Sequence, residues 1–293
     1  MAARRIWTFA NLLKILGLSV LYIALLSVNY GAVTLSNALT KTPIQLIFVS
    51  FIDTFLLSYF VLSSRWKGWK AWGAVFAILY GMVYVLTAAE TFYLGSILSA
   101  NMASTLLVNG AITSVIFAGA LAWVLGNKRV QGGAASTRLK MPGKEWAWKI
   151  VVSAIVYLLL FFAFGFIVYM PLGKALDPLA YAQEQSSVAS STASLVFPIE
   201  LLRGALWALF AVPAVLALPF GWKKTAVTIG LLMAVPLVLS QFLSTSMTIG
   251  LQIAHTAEIL GENMVFGFLL VRVLHVHSRL EREAGMAGAP GVM

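Results

Sequence analysis

The chain is written in long apolar runs separated by short polar segments, with no sustained alternation of apolar and polar positions. A helix crosses a bilayer with roughly 20 mostly apolar residues. Eight runs qualify, at about 11–36, 44–64, 71–94, 103–126, 147–172, 197–220, 225–243 and 250–276. Their continuity excludes a β-barrel, whose strands alternate. The pattern therefore predicts an all-α fold: a polytopic integral membrane helical bundle with eight transmembrane helices. The first run has the basic start of a signal peptide, with Ser36-Asn37-Ala38 as a small-residue cleavage site. It is longer than a signal core and is read as an uncleaved span.

Composition agrees with this reading. Hydrophobic residues make up 60% of the chain and charged residues 10%, with a mean hydropathy of +0.91, more apolar than a soluble core requires. Cysteine is absent, which excludes disulfides, thiolate metal sites and a cysteine nucleophile. The formal net charge of +10 raises the question of nucleic acid, but the placement of the charges answers it. With the N-terminus inside, every basic residue except Lys41, Lys174 and Arg203 falls in a cytoplasmic segment or at an inner helix end. Every tryptophan except Trp207 falls at an inner helix end as well, where amphipathic rings favour the interface. The excess charge is thus a topology signal. It predicts a multi-pass protein of a bacterial-type inner cell membrane with both termini cytoplasmic, in contact with membrane lipids and not with nucleic acid. Protein partners in the membrane are also compatible with the small-residue stretch GAITSVIFAGALA in the fourth run.

An internal duplication is visible. TPIQLIFVSF from Thr42 matches FPIELLRGAL from Phe197, aligning Pro43 with Pro198 and Gln45 with Glu200. Farther on, Gly68-Trp69-Lys70 aligns with Gly221-Trp222-Lys223, and Asn109 with Asn263. An even number of spans per copy gives a parallel 4+4 repeat. The units are residues 1–126 and 147–283, joined by a basic cytoplasmic linker at 127–146 and followed by a disordered tail at 284–293. The second unit carries an outer segment at 173–195, read as a surface loop or a short amphipathic helix.

Ionisable groups within the membrane are costly and mark function by default. His255, Glu258 and Glu262 stand at i, i+3 and i+7 and share one face of the last span, with Asn263 beside them. Glu200, Arg203 and Trp207 repeat that spacing in the sixth span, and the two stripes are expected to face each other around a polar pocket. Glu200 also follows Pro198 by two residues, where a carboxylate simply complements a helix N-terminus. Asp53 sits near the middle of the second span and should turn inward. In the first unit the matching positions are milder: Gln45, Asn101, Ser104 and Val108. Pro213, Pro219 and Pro236 predict kinks in the sixth and seventh spans.

The substrate or ion pocket is therefore assigned to Asp53, Glu200, Arg203, His255, Glu258, Glu262 and Asn263, and suggests a transporter-like carrier. Two alternatives stand beside it: a non-catalytic membrane subunit or scaffold, and an intramembrane hydrolase using Glu258 or Glu262 with His255. The spacing H-x-x-E-x-x-x-E is not that of a zinc helix. Nothing in the sequence identifies a cofactor, and the histidines do not make a bis-histidine haem pair.

Overall fold

A lipid-embedded backbone has to satisfy its own hydrogen bonds, and the helix does so within one segment. The computed structural model describes residues 7–34, 43–93, 100–126, 141–191, 193–243 and 247–287. Side chains are described over 7–28, 44–89, 103–126, 141–186, 195–243 and 247–275. The chain forms α1 (Phe9–Thr34), α2 (Pro43–Ser63) and α3 (Gly68–Phe76), which continues through a π-helical stretch, π1 (Ala77–Val85), into α4 (Leu86–Tyr93). After α5 (Ala100–Leu125), α6 (Gly143–Phe164) passes through a second π-helical stretch, π2 (Gly165–Tyr169), into α7 (Met170–Leu176). Then follow α8 (Pro178–Ser191), α9 (Ala193–Ala217), α10 (Trp222–Phe242) and α11 (Ile249–Ala287).

Among the described residues, seven helices are long and apolar enough to cross a membrane: Phe9–Val28, Ile44–Ser63, Gly68–Ala89, Ala103–Leu125, Gly143–Leu176, Leu195–Ala217 and Trp222–Phe242. The eighth expected span, 250–276, lies within α11, where His255, Glu258, Glu262 and Arg272 interrupt the apolar run. Large apolar side chains cover the outside, Val20, Ile44, Val108, Val151, Leu159 and Ile167 among them. Such a surface is stable against lipid and not against water.

Basic side chains close helix ends. The last carbonyls of a helix lack intrahelical donors, and a cation there opposes the negative end of the dipole. Lys14 Nζ donates to Val124 O at 3.1 Å, at the end of α5. Arg65 donates from its backbone N to Ala217 O at 2.9 Å and from Nε to Leu216 O at 2.8 Å, closing α9. Lys149, fully buried, reaches Glu145 at 2.8 Å and Leu274 O at 2.9 Å, so its charge is matched inside the bundle.

Several boundaries differ from the expectation. Pro219 does not kink a helix, because α9 ends at Ala217 and Pro219 lies in the connection to α10. Proline cannot continue the hydrogen-bond ladder, so it marks the stop. Pro213 and Pro236 do lie inside α9 and α10. The 173–195 segment, expected as an outer loop or short helix, is largely helical, supplying the end of α7 and all of α8. Most of the expected linker, at 127–140, and the end of the tail, at 288–293, lie outside the described residues.

Among the described residues, the most extensive interface joins α10 to α11. α6 packs on α9 and α11, as α1 packs on α2 and α5. The two halves interlock through α2 on α10 and α9 on π1.

Candidate functional site

The α9 stripe closes on itself. Arg203 Nη1 donates to Glu200 Oε1 at 2.7 Å and to Oε2 at 2.9 Å. Glu200 and Trp207 are fully buried and Arg203 nearly so. The helix-start reading of Glu200 is corrected here: α9 begins at Ala193, two turns earlier, so the guanidinium and not a free helix end balances this carboxylate. Gly204, between the polar positions, lets α6 come close. A Cβ placed there would lie 2.8 Å from Tyr157 Cβ and 2.9 Å from Ala154 Cα.

On α11, His255 Nδ1 lies 2.8 Å from Glu258 Oε2. Both side chains rest against π2. The Tyr169 ring meets the His255 imidazole edge to face, with centroids 5.5 Å apart. A Cβ at Gly165 would stand 3.5 Å from Glu258 Oε1, so the carboxylate lies against a residue without a side chain. π-Helical turns recur at functional sites because they locally rearrange the helical register. From π2 the contacts continue to α8, where the carboxylate of Glu184 accepts a hydrogen bond from the Tyr169 hydroxyl. One turn deeper on α11, Glu262 and Asn263 are buried. Asn263 Nδ2 donates to Ile259 O at 3.0 Å, while its Oδ1 accepts no hydrogen bond.

The two stripes meet through α6. The expectation has α9 and α11 face to face, but α6 and π2 supply the shared surface, with α6 packed on both helices. Tyr157 of α6 is the central contact. Its ring centroid lies 6.0 Å from the Arg203 guanidinium carbon, 6.4 Å from the Trp207 ring and 5.2 Å from the Phe266 ring on α11. Asp53 is elsewhere, on α2, whose packing partners are α1, α3, α5 and α10. Sequence reasoning missed Tyr157, Gly165, Tyr169 and Glu184. The first three lie in an apolar run without a charge between Lys149 and Lys174. Two tyrosine hydroxyls and a glycine are weak signals beside a charge.

The set carries an imbalance of charge. Three buried carboxylates, Glu200, Glu258 and Glu262, accompany one arginine and one histidine. Arg203 balances Glu200, and a protonated His255 would balance Glu258. Glu262 brings a third carboxylate into this low-dielectric medium, where each negative charge has to be matched. Among the described residues, no three His, Asp or Glu side chains come together as a metal site.

Outside the span, Asp177 holds the corner between α7 and α8. It accepts from the Thr248 hydroxyl and from Ala180 N, and these bonds hold its carboxyl below the usual carboxylate range. A lowered folded-state pKa stabilises the corner above the unfolded value and is lost as pH falls through the folded one. Acidification below the usual aspartate range should therefore raise amide exchange in the first turn of α8. An Asp177→Asn variant should show that faster exchange at neutral pH with little further pH dependence, measured by hydrogen–deuterium exchange.

No protein family, curated protein or solved structure matches this chain.

Proposed function

We propose that the protein is a transporter-like carrier of the bacterial-type inner cell membrane, in which Glu258 and Glu262 couple solute movement to a proton or a monovalent cation. The observation that carries this reading is the cluster of three buried carboxylates, Glu200, Glu258 and Glu262, with Arg203 and His255 on α9 and α11. A carboxylate whose neutralising partner is exchangeable is the basic part of a coupled carrier. Tyr169 and Glu184 would connect this site to the surface, and Arg203 offers a cation for an anionic group of a solute. Catalysis gains less support, because the His255 and Glu258 side chains are spent on each other.

The proposal includes α11 as an eighth span, a parallel 4+4 repeat and cytoplasmic termini. The packing supports the repeat. In each unit the first span packs on the second and the fourth, and the third packs on the fourth. Between units, the second span of each meets the third span of the other, as α2 on α10 and α9 on π1. That reciprocity is what a two-fold axis along the membrane normal generates. The basic closures of α5 and α9 by Lys14 and Arg65 fall at the ends assigned to the cytoplasm.

The test is solute-dependent proton movement in proteoliposomes loaded with a pH-sensitive dye and challenged with amines, amino acids, carboxylates and inorganic ions. At least one solute should change luminal pH with the wild-type protein, and Glu262→Gln should reduce that change to the level of protein-free vesicles. Flux unaffected by Glu262→Gln would overturn the coupling role. A chain that moves no solute and purifies in stable stoichiometry with a second protein would favour the subunit reading.

A further inference from the structure

Trp222 is the first residue of α10 and of the Trp222–Phe242 span, half-buried where an amphipathic ring meets the boundary between lipid and water. Two cations from different helices lie on its ring. The guanidinium carbon of Arg272, from α11, is 5.1 Å from the ring centroid, and Lys223 Nζ is 5.8 Å from it. Beside them, Lys224 Nζ lies 3.9 Å from the centroid of the Phe220 ring. All three cationic side chains are exposed, and among the described residues none pairs with a carboxylate.

Folding alone gives these charges no reason to gather. Lys223 and Lys224 occupy the first turn of α10, where the helix dipole is positive and a cation is unfavourable, and no acidic side chain shares that turn. Arg272 adds a further like charge from the neighbouring helix. Basic groups elsewhere have evident structural roles: Lys14 and Arg65 close α5 and α9, and Lys149, beside Trp148, is matched by Glu145. The start of α3 repeats the Gly-Trp-Lys sequence, yet among the described residues the Trp69 ring carries Lys70 and no cation from a second helix. Convergence of two helices on one ring sets the start of α10 apart, and the uncompensated charge there calls for an anion.

The surroundings narrow what that anion is. A guanidinium and an ammonium together suit phosphate oxygens. Below them the surface is apolar. Val265, Phe268 and Arg272 stand at i, i+3 and i+7, an exposed stripe on one face of α11, and the Phe268 ring meets Trp222 edge to face at 5.5 Å. On α10, Val227 lies one turn beyond Lys223 and is 50% exposed. A free phosphate or an acidic peptide would use the charges and leave the apolar stripe unused, whereas an anionic amphiphile uses both. We propose that an anionic phospholipid sits on the α10–α11 seam, with its headgroup phosphate between Arg272 and Lys223 and an acyl chain along Phe268, Val265 and Val227. A lipid seated there requires only that α10 cross the membrane, whether or not the protein moves a solute.

Thermal unfolding of the full chain in neutral-detergent micelles, followed by tryptophan fluorescence, tests this as phosphatidylglycerol or phosphatidylcholine with the same acyl chains is added. Phosphatidylglycerol should raise the midpoint saturably and well beyond phosphatidylcholine. Arg272→Gln and Lys223→Gln, both at exposed positions, should each need about fivefold more phosphatidylglycerol, the worth of one basic group at an anionic lipid surface. Lys70→Gln, which takes the cation from the Trp69 ring of α3, should titrate as the wild type does. An equal response to the two lipids would overturn the site. So would a Lys70→Gln titration weakened as much as that of Arg272→Gln, which would mean diffuse attraction to the whole basic surface. A shift reproduced by inorganic phosphate at the same concentration would mean an anion site without a lipid, and would overturn the proposal equally.

Discussion

Replacing Arg203 by methionine is expected to cost about 3–5 kcal/mol of stability, the usual penalty for removing one partner of a buried ion pair. The reason lies with Glu200 and not with the lost arginine. Glu200 is fully buried, and Arg203 Nη1 serves both of its carboxylate oxygens at 2.7 and 2.9 Å. Without the guanidinium, the carboxylate must take up a proton or admit water between α6 and α9, where Gly204 has brought the helices close. Removing the charge as well should reverse most of the damage. The double variant Arg203→Met/Glu200→Gln is expected to unfold near the wild-type midpoint, because exchange of a whole buried pair for neutral groups is often close to neutral. Thermal unfolding in detergent of the wild type, both single variants and the double variant gives the coupling energy directly. A cost below about 1 kcal/mol for Arg203→Met would be that of a solvated surface pair. The burial argued for α9 would then be wrong.

The legible part of the fold was the part that lipid dictates. Length and continuity of the apolar runs reveal spans because an unpaired backbone group in hydrocarbon is so costly that only a long helix avoids it. Seven runs fold as helices that meet this requirement. The boundaries were less legible, since apolarity ends where the bilayer ends and helices need not. The Gly143–Leu176 helix runs 34 residues, about 51 Å at 1.5 Å per residue. It outlasts an apolar core of about 30 Å, and the continuation carries Tyr169 to the corner with α8. Likewise α9 starts four residues before Phe197, the first residue of the matched repeat segment. That shift changes Glu200 from a helix-start residue to an interior one.

For the site, spacing on one helix was legible and the facing helix was not. The i, i+3, i+7 stripes on α9 and α11 follow from 3.6-residue periodicity alone, and the His255–Glu258 and Glu200–Arg203 contacts are their direct result. Which helix lies opposite depends on packing between surfaces that are apolar throughout, and there the sequence carries little contrast. The residues that decide it are small or aromatic: Gly204 admits α6, Tyr157 reaches both stripes, and Gly165 lies beside Glu258. None of them is charged, so a search for intramembrane charge passes over them.

The α10–α11 interface should be the least tolerant of added volume. A Cβ at Gly267 would lie 2.6 Å from Gly230 Cα and 2.7 Å from Gly230 N, with no side chain between the two helices to give way. Gly230 is nearly as confined, its Cβ position lying 3.1 Å from Met264 O. Small residues drive association in membranes because they let backbones touch where lipid offers no hydrophobic gain from assembly. Gly267→Ala should therefore cost about 1–3 kcal/mol, the range for overpacking, and Gly267→Leu should cost more or prevent folding. Gly119→Ala is the matched control, since its nearest neighbour is the Trp72 ring at 3.7 Å, an ordinary contact. Thermal unfolding of the three variants in detergent tests the order. The effect should reach the carboxylates too, because Glu258 and Glu262 share α11 with Gly267 and one face of that helix rests on π2. Moving α11 away from α10 by even a few tenths of an ångström shifts Glu258 against Gly165 and His255 against Tyr169. In the proteoliposome assay Gly267→Ala should lose flux beyond its loss of folded protein. A variant that unfolds early yet transports normally per folded molecule would show that the α11 site does not depend on this packing.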